Sequence, residues 1–358
     1  MDSLLTTIVE DLRPRLSDWY PEVDGDAEIE VKGVDERAFA HVIRVDVVRP
    51  GTSPTALVVK TGATDPTTDG TDRPRLMPMT DPADRIELEF EALRTLDARL
   101  AEVDEPDLAA VRALGILPRS EALVMEAFEG QPLHRLLVRG SFRRVGALRP
   151  VNLARTAGRW LRVLHDTPTS GRPVRQGTRQ EVVDAFTAYG AYLAREKSGF
   201  DLRPVIDAGI EAVSRLPEPL PTVVSHGDFA PRNILVDDAG RLAVIDLLAR
   251  WQAPPYEDLA GFLVSLETSR VNAATRGLVF GRAVERLEPA FLAGYFGSAP
   301  VPRRAIRLYE LLLVLDKWSA RASRAGSHGR VGRLRERMID SHFDARSRFL
   351  ARRLVDGV

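Results

Sequence analysis

The hydrophobic positions of this chain repeat with two different periods. Residues 3–17 put Leu4, Leu5, Ile8, Val9 and Leu12 on one side, the spacing of an amphipathic helix, and Pro14 bends or ends it. Three short runs follow that alternate or stay apolar: EIEVKGV (28–34), HVIRVDVV (41–48) and TALVVK (55–60). They predict strands of an antiparallel sheet, with Pro50-Gly51 turning the second into the third. Residues 61–84 are polar and rich in Thr, Asp and Pro, which predicts a mobile loop. A helix over roughly 85–100 and a strand, ALVMEAF (122–128), come next, and Gly130 follows them.

Beyond Gly130 the period becomes helical. NLARTAGRWLRVLH (152–165) places Leu153, Ala157, Trp160, Leu161 and Leu164 on one face. Residues 180–196, 204–215 and 304–322 predict further helices, and a single β segment near 223–250 interrupts them. No internal repeat is present. The pattern predicts an α+β protein: a small antiparallel-sheet lobe over 1–126, a connector over 127–131, and a larger, mainly helical lobe over 132–358.

Composition narrows the function classes. The 358 residues are 44% hydrophobic, carry a formal net charge of −1 and contain no cysteine. Disulfide frameworks and thiolate metal sites are excluded, and no general attraction to nucleic acid or anionic membrane is implied. The N-terminus has acids where a signal peptide has a basic region, and no apolar run approaches the length of a membrane span. The expectation is a cytoplasmic protein with no nucleic-acid partner. Of the 50 basic residues only Lys32, Lys60, Lys197 and Lys317 are Lys. Arg is the default cation here, so a Lys in an apolar setting stands out.

The stretch VVSHGDFAPRNILVDDAGRLAVIDLLAR (223–250) carries the chemistry. Ile234-Leu235-Val236 and Leu242-Ala243-Val244-Ile245 predict the strands of a hairpin, with Asp237–Arg241 as its turn. Pairing outward from Ala239-Gly240 sets Ile234 opposite Ile245 and Asn233 opposite Asp246, with Cβ atoms about 4.5–5.5 Å apart. Two oxygen-bearing side chains that near each other can share a hard cation. Magnesium, with oxygen ligands at about 2.0–2.1 Å, usually takes only one or two from protein. Asp228 lies five residues before Asn233, in the preceding loop, where it can hold a hydroxyl that attacks a phosphoryl group. Asp-x4-Asn followed by a metal-binding Asp is the kinase spacing.

HGDFAPRNIL, then VID (244–246), then DLA (258–260), resembles the aminoglycoside phosphotransferase and choline kinase-like family, small-molecule kinases with a bilobal, protein-kinase-like fold. The resemblance implies roles. Asp228 is the base or hydroxyl-orienting group. Asn233 and Asp246 bind Mg2+. Asp258, at the start of a helix, braces the catalytic loop, and His226 is a structural member of that loop. Lys60, at the end of its strand, holds ATP phosphates. Its partner is a helix Glu from RIELEFEALRTL (85–96): Glu89, one turn from both Ile86 and Leu93, points inward, with Glu91 as the second choice. LVMEAFEG (123–130) corresponds to the hinge, where the backbone of Glu126, Ala127 and Phe128 meets adenine.

Some positions depart from the pattern or stay open. The segment KGVDERAFAH (32–41), expected to cover the phosphates through Val34–Ala40, has one Gly, and Asp246-Leu247-Leu248 replaces Asp-Phe-Gly. His165 reads as a packing residue at the end of an apolar helix face. Arg232 reads equally as a contact to a phosphate or anionic substrate and as a surface residue. The Arg cluster over 303–353 reads as a solvated helix face with salt bridges.

The expected function is an ATP- and Mg2+-dependent phosphotransferase acting on a hydroxyl of a small molecule: a sugar, polyol, amino alcohol or aminoglycoside-like antibiotic. A sugar or related polyol ranks ahead of an antibiotic. The competing reading is a nucleotide-binding pseudokinase with a regulatory or scaffold role. The presence of Asp228, Asn233, Asp246 and Lys60 weighs against it. A protein kinase is disfavoured because Gly227 stands where Arg is usual and no Ala-Pro-Glu follows. A hydrolase is disfavoured by the lack of G-x-S-x-G and P-loop motifs.

Overall fold

Period-two alternation builds the first sheet. Strands β1 (Glu28–Arg37), β2 (Ala40–Val48), β3 (Thr55–Gly62), β4 (Ala113–Leu117) and β5 (Ala122–Glu126) pair antiparallel in the order β1-β2-β3-β5-β4. In the computed structural model, the chain divides into two units. One comprises Met1–Asp69, Met79–Gly130 and Leu235–Ala249; the other comprises Gly70–Pro78, Gln131–Ile234 and Arg250–Val358. The structure describes residues 2–21, 27–37, 40–49, 51–62, 72–76, 82–142, 148–168, 171–268, 281–323 and 330–356.

In the first unit, one face of the sheet packs Ile43, Val45, Val47, Leu57, Val59 and Val124 against Ile8 and Leu12 of α1 (Asp2–Leu12) and Leu16 of α2 (Leu16–Trp19). Pro14 sits in a 3-10 turn over Arg13–Arg15, which breaks the predicted single helix in two. Because side chains alternate along a strand, Lys60 takes the opposite face from Leu57 and Val59. Helix α3 (Pro82–Glu102) buries Ile86, Glu89, Leu93 and Leu96.

Strand β4 was not anticipated. Its Ala-Leu-Gly-Ile-Leu is a short apolar run without alternation, and Gly115 leaves room for the Trp19 ring, which a Cβ would approach to 2.9 Å. The segment read as a phosphate-covering loop is mostly paired strand, with Arg37 opposite Ala40; Ala38 and Phe39 lie outside the described residues. Of the 61–84 loop, residues 63–71 and 77–81 also lie outside them, and α3 already begins at Pro82.

The predicted hairpin forms, with β8 (Ile234–Val236) and β9 (Leu242–Val244) as neighbours, but one residue out of the expected register: the Asp237 N–H donates to Arg241 O at 3.0 Å, which sets Ile234 against Val244 rather than Ile245, so Asn233 does not stand opposite Asp246. Asp237 closes its turn by accepting from the Arg241 N–H at 2.8 Å, and Gly240 takes φ +89°. The Leu242 N–H donates to Asp107 O and the Ala109 N–H to Leu242 O, both at 2.9 Å, which ties this hairpin to the first unit.

The second unit is mainly helical: α4 (Leu133–Phe142), α5 (Leu148–His165), α6 (Arg179–Glu196), α7 (Arg203–Val213), α8 (Tyr256–Glu267), α9 (Gly281–Phe296), α10 (Arg303–Ala322) and α11 (Arg330–Asp356). It also holds β6 (Gln131–Pro132) and the antiparallel pair β7 (Val223–Val224) and β10 (Gln252–Ala253). Thr178 and Glu181 form a capping box at the start of α6.

The Arg cluster forms the expected salt bridges, and Arg303 is exposed, but two of its members turn inward. Arg307 donates to Glu288 and Glu310, and Arg346 reaches Glu310 and Glu267. Glu310 is fully buried, so these guanidiniums are drawn inward to pair carboxylates that burial alone would make costly. Burial pushes Glu267 up to about 8 even so.

One crossing decides the helix packing beneath the site. A Cβ on Gly158 of α5 would meet Phe291 O of α9 at 2.1 Å, and a Cβ on Gly294 would meet Arg155 O at 2.0 Å. The two helices therefore touch backbone to backbone. Phe291, on α9, stacks on Phe262 with centroids 4.1 Å apart and lies 6.2 Å from Phe229 of the HGDF loop. Gly158→Ala is expected to lower stability by about 3 kcal/mol, since rigid backbone must separate rather than a side chain turn. Urea unfolding of Gly158→Ala and Gly294→Ala against wild type checks this; unchanged midpoints would contradict the crossing.

Candidate active site

In the first unit, β3, α3 and the chain after β9 bring three charges together. Lys60 Nζ donates to Glu89 Oε1 and Oε2 at 2.8 and 2.7 Å and to Asp246 Oδ1 at 3.1 Å. Lys60 and Glu89 are 15% and 5% exposed at their side chains. Burial by itself would lower the lysine pKa, but the two carboxylates hold it above its ordinary value. Lys60 is thus a fixed cation, and the cluster carries one excess negative charge. Asp246 has φ +58°, a left-handed backbone that Asp tolerates better than most residues.

The connector supplies backbone. The Glu126 N–H donates to Arg112 O and the Ala127 N–H to Ala56 O, each at 2.9 Å. Among the described residues the Phe128 N–H donates to no acceptor. The Glu126 carboxylate is itself held by the Tyr20 hydroxyl at 2.9 Å and Arg112 at 2.8 Å. Close behind, a Cβ on Gly130 would stand 2.9 Å from the Val236 backbone.

In the second unit, Asp258 sits in the first turn of α8, buried. Its Oδ2 accepts from the His226 N–H at 2.7 Å and its Oδ1 from the Gly227 N–H at 3.0 Å. His165 Nε2 lies 3.1 Å from the same Oδ2, and His165 Nδ1 lies 2.7 Å from the Tyr295 hydroxyl. A carboxylate only accepts, so Nε2 carries the ring proton and Nδ1 accepts from Tyr295. Burial would raise the Asp258 pKa, yet His165, His226 and the backbone donor hold it below the usual range. His165 is thus more than a packing residue, and Tyr295 is a partner no motif announced.

Those bonds set the loop. Gly227 takes φ +83°, open to glycine at no steric cost, and the Asp228 N–H donates to His226 Nδ1 at 3.2 Å. His226 and Phe229 lie against Trp160, with centroids 6.4 and 6.1 Å away. Asn233 Nδ2 donates to Asp228 O and Oδ2, both at 2.9 Å. Both partners are acceptors, so the amide orientation is forced, and Oδ1 is the atom without a hydrogen bond among the described residues. Arg232 Nη2 reaches Asp228 Oδ1 and Oδ2 at 2.5 and 2.6 Å. Of the two readings left open for Arg232, the structure gives a third: it covers the carboxylate four residues before it.

The structure thus gathers Lys60, Glu89 and Asp246 in one unit, and His226, Asp228, Asn233 and Asp258 in the other. Asn233 Oδ1 and the Asp246 carboxylate are hard oxygen donors, the type that suits magnesium. Among the described residues no group of three or more His, Asp or Glu forms a metal site by itself. No described helix is long and apolar enough to cross a membrane.

Comparison with known proteins agrees with this architecture. Residues 47–306 match the model of the phosphotransferase enzyme family. No curated protein matches the chain. Among solved structures, the ethanolamine kinase of Plasmodium vivax is 12% identical, covering 94% of this chain and 89% of its own, with a TM-score of 0.51. A spectinomycin phosphotransferase solved with ADP and spectinomycin is 10% identical, covering 95% and 98%, with a TM-score of 0.50. At these identities the likeness is one of fold, the α+β kinase-like fold expected from the sequence. The family match spans most of the chain: this protein belongs to the phosphotransferase enzyme family and is a small-molecule kinase.

Proposed function

We propose that the protein transfers the γ-phosphoryl group of ATP, with magnesium, to a hydroxyl group of a small molecule. The observation that carries this reading is the Lys60–Glu89–Asp246 cluster: a mostly buried lysine, in a chain that otherwise uses arginine, fixed between two carboxylates. A compact ammonium so held suits phosphate oxygens. The cytoplasm, where ATP is plentiful, is the matching compartment.

Asp228 aligns the acceptor hydroxyl and takes its proton late, as the oxygen gains a bond to phosphorus and the bond to ADP breaks. Lys60 offsets charge on the phosphates, and Glu89 keeps Lys60 in place. Adenine meets the connector through the Phe128 N–H and the carbonyls of Glu126 and Ala127, whose own N–H groups are committed elsewhere. Magnesium, when bound, neutralises charge on the transferring group, and Asn233 and Asp246 are the residues to hold it. Asp258 contributes by holding the backbone from which Asp228 projects.

Three outcomes test this. Asp228→Asn is expected to cut magnesium-dependent ADP release, measured with pooled hydroxyl compounds, by about 10²–10⁴-fold while leaving nucleotide binding within about twofold. Full activity in the variant would remove Asp228 from the chemistry. Lys60→Met is expected to abolish most of the thermal stabilisation that ATP gives the wild type, because binding to the folded state is what raises the midpoint. Stabilisation of wild type by ATP without turnover in any pool would favour the pseudokinase reading.

The third concerns pH. The Asp258 pKa lies lower in the folded protein than in the unfolded chain, where it is near 3.9. Its contribution is therefore complete above that value and is lost as pH falls through the folded one. Asp258→Asn should cost about 3 kcal/mol at pH 7, by leaving an amide against three donors. The gap between variant and wild type should shrink below about pH 4. A gap that stays constant on acidification would show that the carboxylate's charge is not what stabilises.

A further inference from the structure

Asp228 is not presented to an acceptor as a bare carboxylate. Arg232 donates to both of its oxygens and Asn233 to one of them. A hydroxyl that is to be aligned by this carboxylate must displace Arg232. The pair is half exposed, at 52% and 39% of the two side chains, so it is worth little net and exchanges readily. Displaced, the guanidinium needs another anion.

The described neighbourhood does not offer one. Asp316 of α10 is already engaged by the Tyr189 hydroxyl at 2.6 Å and Arg73 at 3.5 Å. A second cation stands nearby instead. Lys317 of α10 donates to Ser265 Oγ at 3.1 Å, and among the described residues it has no carboxylate within ion-pair distance. Its burial, and then the Arg232 charge, push its pKa down to about 8, against the pull of Asp228 and Asp316. It remains a cation at pH 7. Partly burying an ammonium without a paired carboxylate is costly, and Lys317 is one of only four lysines in the chain. Arg73, Lys317 and Arg232 against Asp316 and Asp228 leave one excess positive charge around the base.

An acceptor carrying an ammonium group would set it among these cations, which is repulsive. A neutral acceptor would strip Arg232 of its partner and return nothing. An acceptor carrying an anion gives Arg232 a charge-assisted bond in exchange and frees Asp228 in the same event. We propose that the acceptor is an anionic hydroxyl compound, bearing a carboxylate or phosphate group, and that Arg232 with Lys317 binds that anion as Arg232 leaves Asp228. This rests on Asp228 being the base, and it selects within the small-molecule kinase reading.

The test sorts acceptors by charge. Magnesium-dependent ADP release is measured with four pools: amino alcohols and aminoglycosides, neutral sugars and polyols, hydroxy acids with uronic acids, and sugar phosphates. One of the two anionic pools should drive turnover, and which one distinguishes carboxylate from phosphate. Arg232→Gln should raise KM for it by about 10- to 100-fold with little change in kcat, whereas Asp228→Asn should lower kcat. Lys317→Met should raise KM in the same direction.

A second readout needs no turnover. Glycerate, glycerol 3-phosphate, glycerol and ethanolamine are compared at equal ionic strength for thermal stabilisation. An anionic probe should stabilise wild type, should stabilise Asp228→Asn more because Arg232 is released, and should lose its effect in Arg232→Gln. Turnover of a neutral or cationic pool alone would overturn the inference. So would probe binding that Arg232→Gln leaves unchanged, or the absence of any anion-selective stabilisation. Asp228→Asn retaining full turnover would instead sink the base assignment, while the Arg232-dependent anion binding would stand.

Discussion

The geometry of the second unit's site depends on one buried carboxylate. Asp258 accepts hydrogen bonds from two consecutive backbone N–H groups, those of His226 and Gly227, and this pair of bonds fixes the direction in which residue 228 leaves the loop. The arrangement is stable only because the buried carboxylate is hydrogen-bonded at both oxygens. His165 donates its ring proton to the same carboxylate, and Tyr295 fixes the tautomer that makes this possible. The aromatic contacts among Trp160, Phe229, Phe262 and Phe291 close the space around the loop, and the Gly158–Gly294 crossing lets α9 come near enough to supply Phe291. A loop held by one helix start, one histidine and a ring stack can afford a solvent-facing aspartate.

The first unit solves a different problem, that of keeping a lysine charged while mostly buried. Strand parity decides the matter. With Leu57 and Val59 committed to the core under α1, Lys60 must point to the other face, where α3 turns Glu89 toward it. Two carboxylates for one ammonium is more negative charge than structure requires. The surplus negative charge is the feature on which the proposed binding of a cation, and through it of phosphates, rests.

Much of this was legible before any coordinates. The interval from Asp228 to Asn233, the hairpin turn at Asp237–Arg241 and the inward register of Glu89 all follow from local periods, and local periods survive folding. Lys60 was legible by contrast with an Arg-rich background. What could not be read was set by contacts distant in sequence. Tyr295 meets His165 across 130 residues with no motif to mark it. Gly158 and Gly294 look like helix-weakening residues until α5 and α9 are seen to touch. Strand β4 lacks alternation, and Arg307 and Arg346 face inward only because Glu310 and Glu267 are buried beside them.

Asn233 links the two demands that the proposed reaction makes of the loop over 226–233. Its amide N–H groups steady Asp228, through the backbone carbonyl and the carboxylate together, and this fixes the orientation of the amide. The oxygen is therefore directed away from the base, with no competing donor among the described residues. An aspartate at this position would set carboxylate against carboxylate, and an alanine would leave the Asp228 carboxylate to Arg232 alone. Asparagine is the one side chain of this length that donates to the Asp228 carboxylate and still keeps an acceptor oxygen, as the proposed cation site requires. The same bond bears on the proposed exchange of Arg232's partner. With Asn233 already holding Oδ2, the proposed departure of the guanidinium would leave Asp228 oriented, and an acceptor hydroxyl would meet a carboxylate that is positioned rather than merely exposed.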